Sequence, residues 1–151
     1  MRKLTITNTY EVFNFSELSK SAKDDAAIHI GNMASASDWW AFTFEDARTV
    51  GIEIIEFDLY RYTCRIKPLV SFKEIADNII ENHGTSCITH QDSLRFKEGV
   101  LSEKDFKECL QDSYIRMSQR EYDYLFSHEH AQDYSEVNEI EFLEDGSIFD
   151  K

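Results

Sequence analysis

Between Glu121 and Asp150 the chain carries ten carboxylates and neither Lys nor Arg: Glu121, Asp123, Glu129, Asp133, Glu136, Glu139, Glu141, Glu144, Asp145 and Asp150. Tyr122, Tyr124, Leu125, Phe126, Tyr134, Val137, Ile140, Phe142, Ile148 and Phe149 are threaded among them. Acid-rich segments without aromatics stay disordered, because they cannot bury enough apolar surface to offset chain entropy. This segment has the apolar side chains to fold as an ordered acidic surface. Its charge of −10 is most of the −13 of the 151-residue chain and leaves −3 for everything else. Ordered charge of one sign creates a long-range field that attracts cationic partners and repels nucleic acid.

The remaining composition is that of an ordinary globular protein, with 42% hydrophobic residues and 13% aromatics. Length favours one domain over residues 1–151. One Pro and five Gly leave little room for long linkers. No apolar run approaches the roughly 20 residues of a membrane span, and Met1-Arg2-Lys3-Leu4-Thr5 leads into polar sequence rather than a signal-peptide core. Cys64, Cys87 and Cys109 are odd in number and lack CxxC spacing, which points to free thiols in a reducing cytosol. The acidic balance disfavours direct binding to DNA, RNA or anionic membrane, all of which call for Lys and Arg.

Taken in order, Leu4 to Val12 reads as an opening strand, rich in Thr, Tyr and Ile. A helix follows, capped by Ser16 or Ser19, with Leu18, Ala22, Ala26 and His29 at helical spacing and Gly31-Asn32 weakening its end. Ser37-Asp38 is placed to cap a second helix over Trp39 to Val50, which Gly51 stops. The adjacent Trp39-Trp40 fit core packing better than a binding platform. Ile52 to Ile66 predicts a hairpin turning near Asp58 to Arg61. Ile55, Phe57 and Leu59 share one face there, and the change of apolar parity at Ile54-Ile55 marks a bulge. Arg61 and Arg65 belong on a solvated face.

Ser71 to Glu74 matches a capping box ahead of a helix whose apolar side is Ile75, Ala76, Ile79 and Ile80. That helix ends at His83-Gly84, with Gly84 as a left-handed cap. Thr85 to Gly99 is the least regular stretch and reads as a loop or broken helix. Ser102 to Asp105 restarts a helix that runs through Phe106, Cys109 and Leu110 toward Phe126. Val137 to Phe142 reads as a strand, Glu144-Asp145-Gly146-Ser147 as a turn and Ile148-Phe149 as a short return. The sum is an α+β domain with a small antiparallel sheet and four or five helices.

Motifs that carry chemistry are few. His83, Cys87 and His90 form H-x3-C-x2-H, and Cys64 or a carboxylate could complete a tetrahedral zinc set. Zinc sites normally show two tight ligand pairs, so the spacing fits an incidental arrangement better and no metal or cofactor is expected. His128 and His130 stand two apart, which on a helix cannot face one ligand; beside Glu129 they could form a pH-sensitive patch. No GxSxG, phosphate-binding glycine loop, HExxH or catalytic-cysteine signature is present. Carboxylate pairs are frequent by chance in a chain with 29 of them, and none can be named a general acid without a cleft to raise its pKa. The chain is expected not to be an enzyme.

Several pieces recur in a familiar order. They are Phe15-Ser16-Glu17-Leu18-Ser19 with Ala22-Lys23, Asp38-Trp39-Trp40, Phe44-Glu45-Asp46-Ala47, and Gly51-Ile52 through Phe57-Asp58-Leu59. Ile79 through Gly84 with Cys87, Glu121 through Leu125, and Asn138-Glu139 through Phe142 with Glu144-Asp145-Gly146 follow. Over nearly its whole length the chain resembles a family of small acidic proteins of bacteriophages and prophages, commonly labelled antitoxins of toxin–antitoxin stability systems. The resemblance implies a phage or mobile-element origin and a bacterial cytoplasm, and brings no catalytic residue set. After Leu125-Phe126 the family pattern is usually acidic, where this chain has His128 and His130.

Acidity and resemblance together lead to an expected role: a non-enzymatic inhibitor that neutralises a nucleic-acid-handling protein. The target would present a basic surface, as a toxin does or a host-defence nuclease of restriction or CRISPR type. Carboxylates on a folded surface can occupy a groove shaped for phosphates, and aromatics among them can anchor the contact. The residues expected to bind are Glu121, Asp123, Glu129, Asp133, Glu136, Glu139, Glu141, Glu144 and Asp145, with Tyr122 and Tyr134. Two alternatives stand beside this: a phage assembly accessory acting by self-association, and a small metal-dependent enzyme built on His83, Cys87 and His90.

Overall fold

The computed structural model describes residues 1–150. Among them are six α-helices and one two-stranded antiparallel sheet, an α+β layout with more helix than the four or five expected. Contacts divide the chain into two compact units, residues 38–122 and residues 1–37 with 123–151. No helix of the described residues is long and apolar enough to cross a membrane.

Helix α1 (Lys20–Ala34) belongs to the other unit, and the unit 38–122 begins with α2 (Ala41–Val50), stopped by Gly51 at φ 97°. That left-handed backbone favours glycine, as expected from sequence. The hairpin follows as β1 (Ile52–Asp58) and β2 (Thr63–Pro68). The bulge lies where the parity change placed it, between the pairs Ile54↔Ile66 and Glu56↔Arg65. Its extra residue is Ile55, which is turned out to solvent instead of sharing the face of Phe57. Ile52, Ile54, Cys64 and Ile66 form the inner face.

Helix α3 (Phe72–Asn82) is capped by Ser71, whose Oγ accepts from the backbone N–H of Glu74 at 3.1 Å. Ile75, Ala76 and Ile79 are buried. Its C-cap, His83, is extended at φ −96°, and the left-handed glycine of this region is Gly99 rather than Gly84. Between them Thr85 to Gly99 holds a regular helix, α4 (Ile88–Lys97), where a loop was expected. Its inward side is polar, with Thr89, His90, Asp92 and Ser93 buried, so no hydrophobic period marked it. Helix α5 (Glu103–Leu125) supplies Phe106, Leu110 and Tyr114 at four-residue steps, all fully buried. Phe96 stacks on Phe106 with ring centroids 4.5 Å apart. Trp39 and Trp40 are half-buried against Phe57, in keeping with packing.

In the other unit, a 3-10 turn (Phe15–Glu17) precedes α1 (Lys20–Ala34), which Ser19 caps by accepting from Ala22. Leu18, Ala22, Ala26 and Ile30 are buried, while His29 faces solvent. Gly31 does not weaken the helix end: the ring of Phe126 rests where a Cβ would stand, with a ring carbon 2.2 Å from that point. Helix α6 (His128–Val137) packs on α1, with Ala131 in the shared core and Ser135 buried one turn further on. Phe142 is fully buried in this second core with Phe15 and Ala131.

Two expected strands are not formed. Leu4 to Val12 has no regular structure, and Leu4, Ile6 and Tyr10 are exposed, because a β-prone segment without a paired neighbour has nothing to stabilise it. Val137 to Phe142 is the end of α6 and a reversal through Glu139 at φ 53°, leaving only single bridges Phe13↔Phe142 and Phe142↔Ile148. The turn at Asp145-Gly146 forms as expected, with Asp145 accepting from the backbone N–H of Ser147 at 2.9 Å.

Candidate functional site

The carboxylates of residues 121–150 fall on both units. Glu121 and Tyr122 lie in the unit 38–122, where Glu121 accepts from the Thr43 hydroxyl at 2.7 Å and the Tyr122 ring sits 5.3 Å from that of Trp39. The other eight, together with Tyr134, lie in the unit that contains α6 and the C-terminal segment; Asp150, not counted among the binding residues, is there too. Residues 1–37 carry four acidic and four basic side chains, so the charge of that unit comes from its C-terminal part.

Helix geometry orders these groups. Glu129, Asp133 and Glu136 recur at four and three residues, which on an α-helix is one stripe. Ala131 and Ser135 take the opposite, buried side. After the helix, Glu139 and Glu141 join Glu136 around a hollow of about 380 Å³ whose other walls include Asn14, Ser16 and Ile140. Glu144 and Asp145 follow on the exposed turn. The Ser147 side chain and backbone donate to Asp145 and hold its carboxyl below the usual range. Among the described residues no Lys or Arg makes an ion pair with Glu129, Asp133, Glu136, Glu139, Glu141, Glu144 or Asp145.

The aromatic anchors are less free than the sequence implied. Tyr134 is half-buried, packed on the second core and 5.4 Å from the ring of His130. Val137, 81% exposed at the end of α6, is the large apolar side chain that does stand beside the acidic stripe. Its sequence signal was hidden, because a Val ahead of Ile140 and Phe142 reads as the start of a strand. His128 pairs with Asp24 at 2.7 Å, and His130 donates from Nδ1 to the Leu125 carbonyl at 2.9 Å, so the two histidines serve different contacts.

The H-x3-C-x2-H residues are also engaged separately. His83 contacts Thr89 Oγ1 through Nδ1 at 2.6 Å and Asp46 through Nε2 at 2.9 Å, while His90 Nδ1 donates to the His83 carbonyl at 3.0 Å. Among the described residues no group of three His, Cys, Asp or Glu is placed to hold a metal ion. Burial pushes the Asp46 carboxyl up, but the hydrogen bond and charge of His83 and the Tyr114 hydroxyl outweigh it and hold it below its ordinary value. Tyr114 is raised by burial and by Asp46. Cys64 is pushed up to about 11 by burial, which makes it an inert core thiol.

The chain matches no protein-family model, no curated protein and no solved structure.

Proposed function

We propose that this protein is a non-enzymatic inhibitor from a phage or other mobile element, which binds and neutralises a bacterial nucleic-acid-handling protein. The reading rests on one observation: the acidic stripe of α6 continues into the carboxylates around the neighbouring hollow, and no Lys or Arg of the described residues pairs with them. Fixed, unneutralised carboxylates at helical and turn spacings resemble a phosphate backbone to a basic groove, and they speed encounter with such a groove. Val137 supplies an apolar contact beside them. A toxin or a defence nuclease of restriction or CRISPR type has a groove of this charge, and the resemblance to phage antitoxin-labelled proteins agrees with that partner class. The inhibitor would act in the bacterial cytoplasm.

Immobilised protein exposed to a bacterial lysate at low and at high salt tests this reading. The expected result is one nucleic-acid-binding protein retained at low salt, released at high salt and displaced by duplex DNA. Retention that ignores both salt and DNA would overturn it.

A further inference from the structure

The unit 38–122 carries a feature of the opposite sign. Helix α4 has ten residues, and its N-cap Cys87 makes no side-chain capping bond, so the first-turn N–H groups of Ile88, Thr89 and His90 lack a capping acceptor. A hollow of about 370 Å³ lies at this helix start, lined by Ser86 and Cys87 just ahead of α4, by Ile88 and Thr89 of its first turn, and by Ser113, Arg116 and Arg120 of α5. Arg116 and Arg120 are one turn apart, and neither makes an ion pair among the described residues, although acidic residues outnumber basic ones 29 to 16.

Ser113 is the independent pointer to a ligand. It is only 7% exposed, yet its hydroxyl has no hydrogen-bond partner among the described residues. Among the described residues no side-chain oxygen or nitrogen that is fully shut off from solvent lacks a partner. The free Ser113 hydroxyl is therefore one that opens into the hollow it lines. Water reaches this hydroxyl, and an acceptor atom of a ligand in the hollow can take the water's place as its partner.

We propose that this hollow binds the phosphate group of a small phosphate monoester. Helix N-termini concentrate N–H donors and partial positive charge, which suits an oxyanion. Two guanidinium groups add charge and paired donors that match phosphate geometry. The Ser113 hydroxyl supplies a further donor. The hollow falls within the roughly 300–1,000 Å³ common for small-molecule sites, and Met117 and Ile88 offer apolar wall for the ester's organic part.

Titration of the isotope-labelled protein with inorganic phosphate and with AMP, followed through its backbone amide resonances, tests the site. The expected result is saturable movement of the Ile88, Thr89 and His90 amides with both probes, but not with chloride at matched ionic strength. Arg116→Ala with Arg120→Ala should weaken binding by at least about tenfold, and Ser113→Ala should weaken it less. Both variants should keep the remaining spectrum. No movement beyond that caused by chloride would overturn the proposal, as would equal movement in the double arginine variant.

Discussion

Both carboxylate oxygens of Asp46 lie against Nε2 of His83, at 3.0 and 2.9 Å. An ionised carboxylate can only accept, so Nε2 carries the proton and donates it to Asp46. The Tyr114 hydroxyl donates to the same carboxylate at 2.9 Å, which ties α2, the end of α3 and α5 together at one polar point. Thr89 completes the group from α4.

Replacing that carboxylate tests its part in stability. Asp46→Asn removes the anion that His83 and Tyr114 donate to. The expected loss is about 1–2 kcal/mol, toward the low end for bonds to charged groups because Asp46 is partly open to water. Its folded pKa is depressed, so its contribution is present above the unfolded carboxyl value of about 3.9 and fades as pH falls below it. Urea denaturation at neutral pH and near pH 3 should therefore show wild type losing more stability than the variant. Equal losses would remove Asp46 from the acid response.

The acidic surface makes a kinetic prediction. Reversing Glu136, Glu139 and Glu141 to Lys should slow association with the captured partner by about tenfold or more and change dissociation far less. Raising the salt should shrink the difference, since charges are screened beyond roughly 8 Å at physiological ionic strength. Surface-plasmon kinetics read both rates, and an unchanged on-rate would discard the electrostatic mechanism.

Gly146 is predicted to tolerate no side chain. It sits at φ 89°, and a Cβ there would stand 2.1 Å from the carbonyl oxygen of Ala22. Gly146→Ala must strain the backbone and push the turn from α1, at a cost of about 2–4 kcal/mol. Thermal unfolding should show a clearly lowered midpoint, and a midpoint within a degree or two of wild type would contradict the close approach.

Legibility in the sequence followed the kind of signal each element left. The hairpin bulge, the Ser71 cap and the stop at Gly51 could be read because each depends on neighbours in the chain. Helix α4 could not, since its buried side chains Thr89, His90, Asp92 and Ser93 are polar and leave no apolar period. Leu4 to Val12 and Val137 to Phe142 have strand composition, but strands need partners, and composition does not say whether a partner exists. The carboxylate stripe was legible as charge, while its division between units depended on where α5 passes from one to the other, after Tyr122. The bonds among Asp46, His83, Thr89 and Tyr114 span up to 68 residues and left no local trace.

The spacing of Glu129, Asp133 and Glu136 bears on homodimers. A twofold axis through that helix face would set each carboxylate against carboxylates of the second copy, so an isologous dimer closing there would have to overcome its own repulsion. Self-recognition, where it occurs, must turn this face outward and leave it open to a cationic stranger.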